Sequence, residues 1–222
     1  MLTRASRLPR AVLWDMDGTL VDSAEYHYAA WHGTLADSGH ELTREEFAAT
    51  FGQLNDTILR RLLGADLGSD EIQRIGDLKE SRYRELVRVR GISALPGACD
   101  CVRQLRAARW RQALASSGPR ANGEAVLAAI GLTELFDALA SAEDVTHGKP
   151  HPEVFLVAAE RVGVAPSRCV VVEDAPAGVE AGRRAGMRTI GVLNMHPHLD
   201  ADRVVRTLSE LDADAFERLL NG

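Results

Sequence analysis

The sequence predicts an α/β fold, a Rossmann-like parallel sheet core with an α-helical cap inserted after the first strand. Three observations lead there. Short β-rich runs alternate with amphipathic helical patterns through most of the chain. The run CVVV at 169–172 is apolar throughout, which suits a strand covered on both faces. From about residue 22 to residue 90, by contrast, every periodic segment is helical and no strand pattern occurs.

Taken in order, AVLW at 11–14 is the first strand. Asp22-Ser23-Ala24-Glu25 has the form of a capping box and predicts a helix reaching about Ser38. Helices over 43–51, 55–63 and 69–89 follow, punctuated by Gly39, Gly52, Gly64 and Gly68. Residues 91–97, with Pro96, read as the returning linker. The core thus takes residues 1–20 and 96–222, and the cap 21–95. Beyond the linker the patterns predict helix 98–109, strand 112–115, helix 120–130, strand 138–140 and helix 152–162. Strand 169–172, helix 177–185, strand 189–192 and a closing helix over 212–220 complete the core.

A chain of 222 residues with 45% hydrophobic content can bury such a core. Its net charge of −6 argues against nucleic acid or an anionic membrane as partner, since both select basic surfaces. The basic opening, MLTRASRLPR, precedes too few apolar residues for a secretory signal. No run approaches the roughly 20 apolar residues of a membrane helix. Cys99, Cys101 and Cys169 are odd in number and lack metal-ligand spacing, so they read as ordinary thiols of a cytoplasmic protein.

The chemistry collects at strand ends, where open α/β sheets bind ligands. The first strand runs into Asp15, Asp17, Gly18 and Thr19. The second ends at Ser116 and Ser117 ahead of a helix, and the fourth at Glu173 and Asp174. Lys149 lies in the turn GKPHPE before another helix. Any one of these could be a solvated loop charge, but together they describe one acidic cluster with a single lysine. Carboxylates are hard ligands for Mg²⁺, and a carboxylate can also accept a phosphoryl group. At about 4 Å and an effective dielectric of 20, each carboxylate–phosphate charge pair costs roughly 4 kcal/mol. Such a cluster meets phosphate only with Mg²⁺ and the lysine to offset that repulsion.

The stretches DMDGTLVD at 15–22, LASSG around Ser116, GKPHPEVF at 148–155 and VVEDAPAGVEAG at 171–182 resemble the haloacid dehalogenase superfamily, in its branch with a small helical cap. They stand in that family's order and span most of the chain. The resemblance implies that Asp15 is the nucleophile and a Mg²⁺ ligand, and that Asp17 is the general acid and then base, with its main-chain carbonyl on the metal. It implies Asp174 as a direct metal ligand, Glu173 acting through water, Ser116 on the phosphoryl oxygens and Lys149 between phosphoryl group and nucleophile. Gly18 and Thr19, with Ser117, shape the phosphate-binding loops. An acid at Asp17 points to phosphatases and phosphomutases rather than to dehalogenases.

Within the superfamily the cap is similar to that of the β-phosphoglucomutases and related sugar-phosphate phosphatases. AEYHYAAW at 24–31 places His27 where a histidine couples acid–base chemistry to cap closure, and Lys79 resembles the cap lysine. Both also fit a satisfied histidine and a solvated helix charge. The mutase arginine for a distal phosphate is matched here by Asn55, a neutral amide, with Arg60 and Arg61 further along. His147 and His151 are four apart, but Pro150 and Pro152 keep them off one helical face, so no metal pair is expected. A phosphatase for a small phosphorylated metabolite leads, a hexose-phosphate mutase is the alternative, and a non-enzymatic phosphoacceptor domain is third.

Overall fold

The computed structural model describes residues 8–222; the opening basic run, residues 1–7, on which part of the reading of the N-terminus rests, lies outside the described residues. The elements are β1 (Ala11–Trp14), α1 (Ala24–Ala36), α2 (Arg44–Ala48), α3 (Asn55–Leu63), α4 (Ser69–Arg90), α5 (Ala98–Ala107), β2 (Arg111–Ala115), α6 (Arg120–Ala129) and β3 (Ala138–Ala140). They continue with α7 (Glu153–Arg161), β4 (Cys169–Glu173), α8 (Pro176–Arg184), β5 (Arg188–Val192), β6 (Arg203–Val205) and α9 (Ala213–Asn221). The six strands form one parallel sheet in the order β3-β2-β1-β4-β5-β6.

Side chains alternate across a strand, and the apolar residues of this sheet divide accordingly. Val12, Trp14, Leu114, Val170 and Val172 join an apolar layer with α5, α6 and α9. Ala11, Leu13, Ala113, Ala115 and Val171 face the opposite layer, with α7 and α8. Covered on both sides, β1 and residues 169–172 of β4 need no polar face, which is why those runs are apolar without a break.

Helices α1–α4 gather around a cluster of their own that includes Trp31, Leu35, Phe47, Leu59 and Ile75. Burying each such side chain stabilises by roughly 1.5–3 kcal/mol. Ala30 of α1 and Tyr83 and Val87 of α4 belong instead to the layer that holds Val12, Trp14 and α5. Two strands of backbone join this helical segment to the core side by side: Leu95 N–H donates to Leu20 O at 2.8 Å, and Val21 bridges Ala94.

Three local expectations are corrected. The capping box at Asp22–Glu25 does not form: Ser23 makes no cap bond, its hydroxyl donates instead to Asp17, and Glu25 pairs with Arg44. The box forms one helix later, where Glu46 N–H donates to Thr43 Oγ1 at 3.1 Å and Thr43 N–H to Glu46 Oε2 at 2.9 Å. That helix, α2, ends at Ala48 rather than Phe51, because the Thr50 hydroxyl turns back onto the carbonyls of Glu46 and Phe47 and the chain reverses at Gly52 (φ 83°). Finally, β6 has no counterpart among the expected strands. It is a three-residue edge strand with a partly exposed Arg203–Val204 and carries no apolar run to betray it.

Candidate active site

The strand order reverses at β1. The sheet continues through β2 and β3 on one side and through β4, β5 and β6 on the other, which opens a crevice beyond the carboxyl ends of β1 and β4. Asp15 directly follows β1, and its N–H donates to Val172 O at 2.9 Å. Glu173 is the last residue of β4, and Asp174 follows it. Lys149 ties these ends together: its Nζ lies 2.5 Å from Asp15 Oδ1 and 2.8 Å from Glu173 Oε1, and it donates to the carbonyl of Ala115, the last residue of β2, at 3.3 Å. Lys149 follows none of the strands; the turn before α7, with a cis Lys149–Pro150 peptide, delivers it.

Backbone is held close to the acids. Gly18 has φ 83°, and a Cβ there would stand 2.0 Å from Asp174 Oδ2. At Gly178, in the first turn of α8, a Cβ would stand 1.7 Å from Glu173 Oε1. Ser116 is buried and its Oγ accepts from Gly118 N–H at 3.0 Å. Thr19 is buried too, with its hydroxyl unpartnered among the described residues. Asp15, Asp17, Ser117, Lys149, Glu173 and Asp174 all face one cavity of about 370 Å³.

The electrostatics ask for a cation. Burial pushes the Asp15 carboxyl up to about 8; Lys149 opposes this, while Glu173 and Asp17 add to it. Burial, then Glu173 and Asp15, push Asp174 up to about 9. Burial works against the charge of Lys149, but Asp15 and Glu173 outweigh it and raise its pKa. Oxygens of Asp15, Glu173 and Asp174 lie within 4.8 Å of one another, and with all three ionised one ammonium would leave two negative charges unmatched, which is why Asp15 and Asp174 hold their protons so firmly without a cation. A hard divalent ion would supply that charge, and an all-oxygen donor set fits Mg²⁺.

Asp17 borders that cavity too, but its hydrogen bonds run to the helical segment. Its Oδ1 accepts from the Ser23 hydroxyl and lies 3.1 Å from His27 Nε2. His27 Nδ1 lies 3.0 Å from Lys79 Nζ; an ammonium can only donate, so Nδ1 accepts and the ring proton sits on Nε2, aimed at Asp17. Lys79 also donates to Glu80 Oε1 at 2.8 Å, and Glu80 accepts from Asn55 Nδ2 at 2.8 Å and from Asn122 Nδ2, on α6, at 2.6 Å. Burial opposes ionisation of Asp17, but His27, Ser23 and Lys79 together hold its carboxyl below the usual range. His27, Lys79 and Glu80 are 7%, 3% and 4% exposed, so neither the histidine nor the lysine is a solvated surface group.

A small cavity of about 40 Å³ beside this chain is lined by Asp17, His27, Asn55, Lys79, Glu80 and Ser117 and shares Asp17, Gln53 and Ser117 with the larger one. Arg60 and Arg61 point elsewhere, to Asp56 and to the carbonyls of Ala65, Leu67 and Ala49. Glu80 and Asn122 were not singled out as site residues from the sequence. The adjacency of Lys79 and Glu80 was the available signal, and it looks like any helical charge pair. His147 and His151 do not share a helix, since α7 starts at Glu153, yet the turn brings both imidazoles to the Glu153 carboxylate.

Residues 9–186 match the family model of haloacid dehalogenase-like hydrolases. This chain belongs to that family. Its relatives include a β-phosphoglucomutase of Bacillus subtilis, 32% identical over 208 residues, covering 91% of each chain. Hexitol phosphatase A of Escherichia coli is 37% identical over 186 residues, covering 82% of each. Among solved structures, a β-phosphoglucomutase from Clostridium difficile superposes with a TM-score of 0.86 at 28% identity, covering 96% of this chain and 98% of that one. The haloacid dehalogenase-like chain is thus an enzyme of the phosphatase and phosphomutase kind, and a phosphoacceptor domain without turnover is set aside. Among the described residues no helix is long and apolar enough to cross a membrane.

Proposed function

We propose that this enzyme is a Mg²⁺-dependent phosphatase that hydrolyses a small sugar-phosphate monoester through a phosphoaspartate on Asp15. The observation that carries the choice of hydrolysis over phosphomutase chemistry is the pairing of Asn55 with Glu80 at the far wall of the site. A mutase must hold the distal phosphate of a bisphosphate. Among the described residues the one buried cation at that wall, Lys79, is already matched by Glu80. The adjoining cavity of about 340 Å³ is lined by Asp56, Asp77, Glu80 and Glu143 and, among the described residues, by no lysine or arginine. Losing one charge-assisted contact of roughly 1.5–3 kcal/mol weakens the grip on a bisphosphate by about one to two orders of magnitude.

Asp15, Glu173 and Asp174 would hold the metal, which offsets phosphate charge and shields the nucleophile from repulsion. A carboxylate oxygen of Asp15 forms the new bond to phosphorus as the bond to the leaving oxygen breaks. Lys149, already against Asp15, neutralises charge on the transferring group, and Ser116, Ser117 and the Gly18–Thr19 turn bound the space it occupies. Asp17 gives its proton to the leaving oxygen. It takes a proton back from the water that attacks the phosphoaspartate, releasing phosphate and restoring Asp15. Its lowered pKa suits the second step, in which it must be a base, and works against the first, in which it must hold a proton.

Residues 21–95 are proposed to move as a lid about the paired linkers at Leu20 and Leu95, because His27 reaches Asp17 only when the helical segment is docked. The test supplies β-glucose 1-phosphate with a bisphosphate primer and compares phosphate release with glucose 6-phosphate formation. Phosphate release in excess supports the phosphatase; isomerisation faster by orders of magnitude establishes the mutase instead.

A further inference from the structure

The turn that carries Lys149 also gathers three metal-ligating side chains outside the acidic site. His147 Nδ1 lies 3.3 Å from Glu153 Oε2, and His151 Nδ1 lies 3.6 Å from the same oxygen. The two imidazoles are 4.6 Å apart between ring centroids, and the three donor atoms fall within 4.8 Å of one another. We propose that His147, His151 and Glu153 form a second metal site, selective for a borderline transition ion such as Zn²⁺, Ni²⁺ or Co²⁺ rather than Mg²⁺.

Geometry and donor chemistry both support this. A separation of 3.6 Å is too long for a hydrogen bond, so the His151–Glu153 approach is not explained by one. In a tetrahedral site with bonds of 2.0–2.1 Å, neighbouring ligand atoms stand about 3.3–3.4 Å apart, close to both separations. The Glu153 carboxyl is held below its usual range by the N–H groups of His147 and Thr146, so it is present as an anion. Both histidines are exposed, which leaves an ion a path in and room for water as the remaining ligand. Two imidazole nitrogens and one oxygen favour Zn²⁺, Ni²⁺ or Co²⁺, whereas Mg²⁺ seeks oxygen alone. Arg184, which donates to the Pro150 carbonyl of this turn, is already paired with Glu180.

His147 and His151 bracket Lys149 two residues away on each side, so an ion there would clamp the turn that presents the lysine without touching it. The pattern was visible in the sequence, but helical periodicity is the wrong test for a turn.

The experiment titrates Zn²⁺ by calorimetry, and Co²⁺ by visible absorption, into the intact protein held in excess Mg²⁺ so that the acidic cluster is occupied. The expected result is one equivalent bound, with a Co²⁺ spectrum showing nitrogen ligation. His147→Ala and His151→Ala should each weaken binding by at least about tenfold, the range already seen on losing an outer-shell partner. Asp174→Ala, in the acidic cluster, should leave it unchanged. Zn²⁺ at 100 times its dissociation constant should raise the melting midpoint by at least about 5 °C in the parent and not in the double histidine variant. Binding that survives both histidine replacements, that is lost in Asp174→Ala, or that is absent from the parent overturns the proposal. Because the readout is binding rather than turnover, it stands or falls separately from the phosphatase reading.

Discussion

Asn122 of α6 donates a 2.6 Å hydrogen bond to Glu80 of α4, so a carboxylate buried in the helical segment is held from the core. Arg84 reinforces the contact by donating to Asn122 Oδ1 at 3.0 Å. Asn122→Ala removes a donor from a charged acceptor that has little water to turn to, a loss of about 1–3 kcal/mol. Thermal unfolding should show that loss, and limited proteolysis should cut the 21–95 segment faster than in the parent. Unchanged stability and unchanged cleavage would show that the bond does not hold the lid.

Lys79 and Glu80 form a buried pair, and removing one member costs more than removing both. Lys79→Met leaves Glu80 buried beside His27 with two amides as its remaining partners and should destabilise by about 3–5 kcal/mol. Lys79→Met combined with Glu80→Leu should recover much of it. Denaturant unfolding of the two single variants and the double completes the cycle; simple additivity would contradict the pairing.

Gly18 and Gly178 are prescribed by the carboxylates beside them. A methyl group at either position meets Asp174 or Glu173 well inside contact distance. Gly18→Ala and Gly178→Ala should therefore raise the Mg²⁺ concentration needed for half-maximal turnover by tenfold or more, by rough analogy with losing a partner that orients a metal ligand. A Mg²⁺ titration of each variant reads this directly, and an unaltered requirement would mean that the acids do not hold the ion.

Burial pushes the thiols of Cys101 and Cys169 up to about 12. The reactive species is the thiolate, so neither should react with a disulfide reagent in the native protein near neutral pH. Labelling should be confined to the half-buried Cys99 until denaturant is added. Rapid native labelling at Cys101 or Cys169 would contradict their packing.

The sheet was legible because buried parallel strands carry their signal locally. AVLW and CVVV can be little else, and the acids at their ends mark the crevice. β6 was hidden because its three residues open on a charged arginine and expose Val204, whereas β3, an edge strand of equal length, is apolar throughout. The failed capping box shows a different limit. Asp22 and Glu25 have the right local spacing, but the helix takes Ser23 as its N-cap, the Ser23 hydroxyl goes to Asp17, and Arg44, nineteen residues on, takes the Glu25 carboxylate. Glu80 and Asn122 escaped for the same reason, since their meaning lies in a contact 42 residues apart in sequence. Asp15, Glu173, Asp174 and Lys149 could be picked out together because each sits beside a strand or helix end that the sequence already marks.

The central claim is that Asp15 becomes phosphorylated and that water then clears it. Acid quenching during turnover of a labelled sugar-phosphate monoester, followed by peptide mapping, should find one phosphoryl group on the peptide containing Asp15. In Asp15→Asn, label and turnover should both vanish. Label found on another residue, or substantial turnover by a clean Asp15→Asn preparation, would contradict the account.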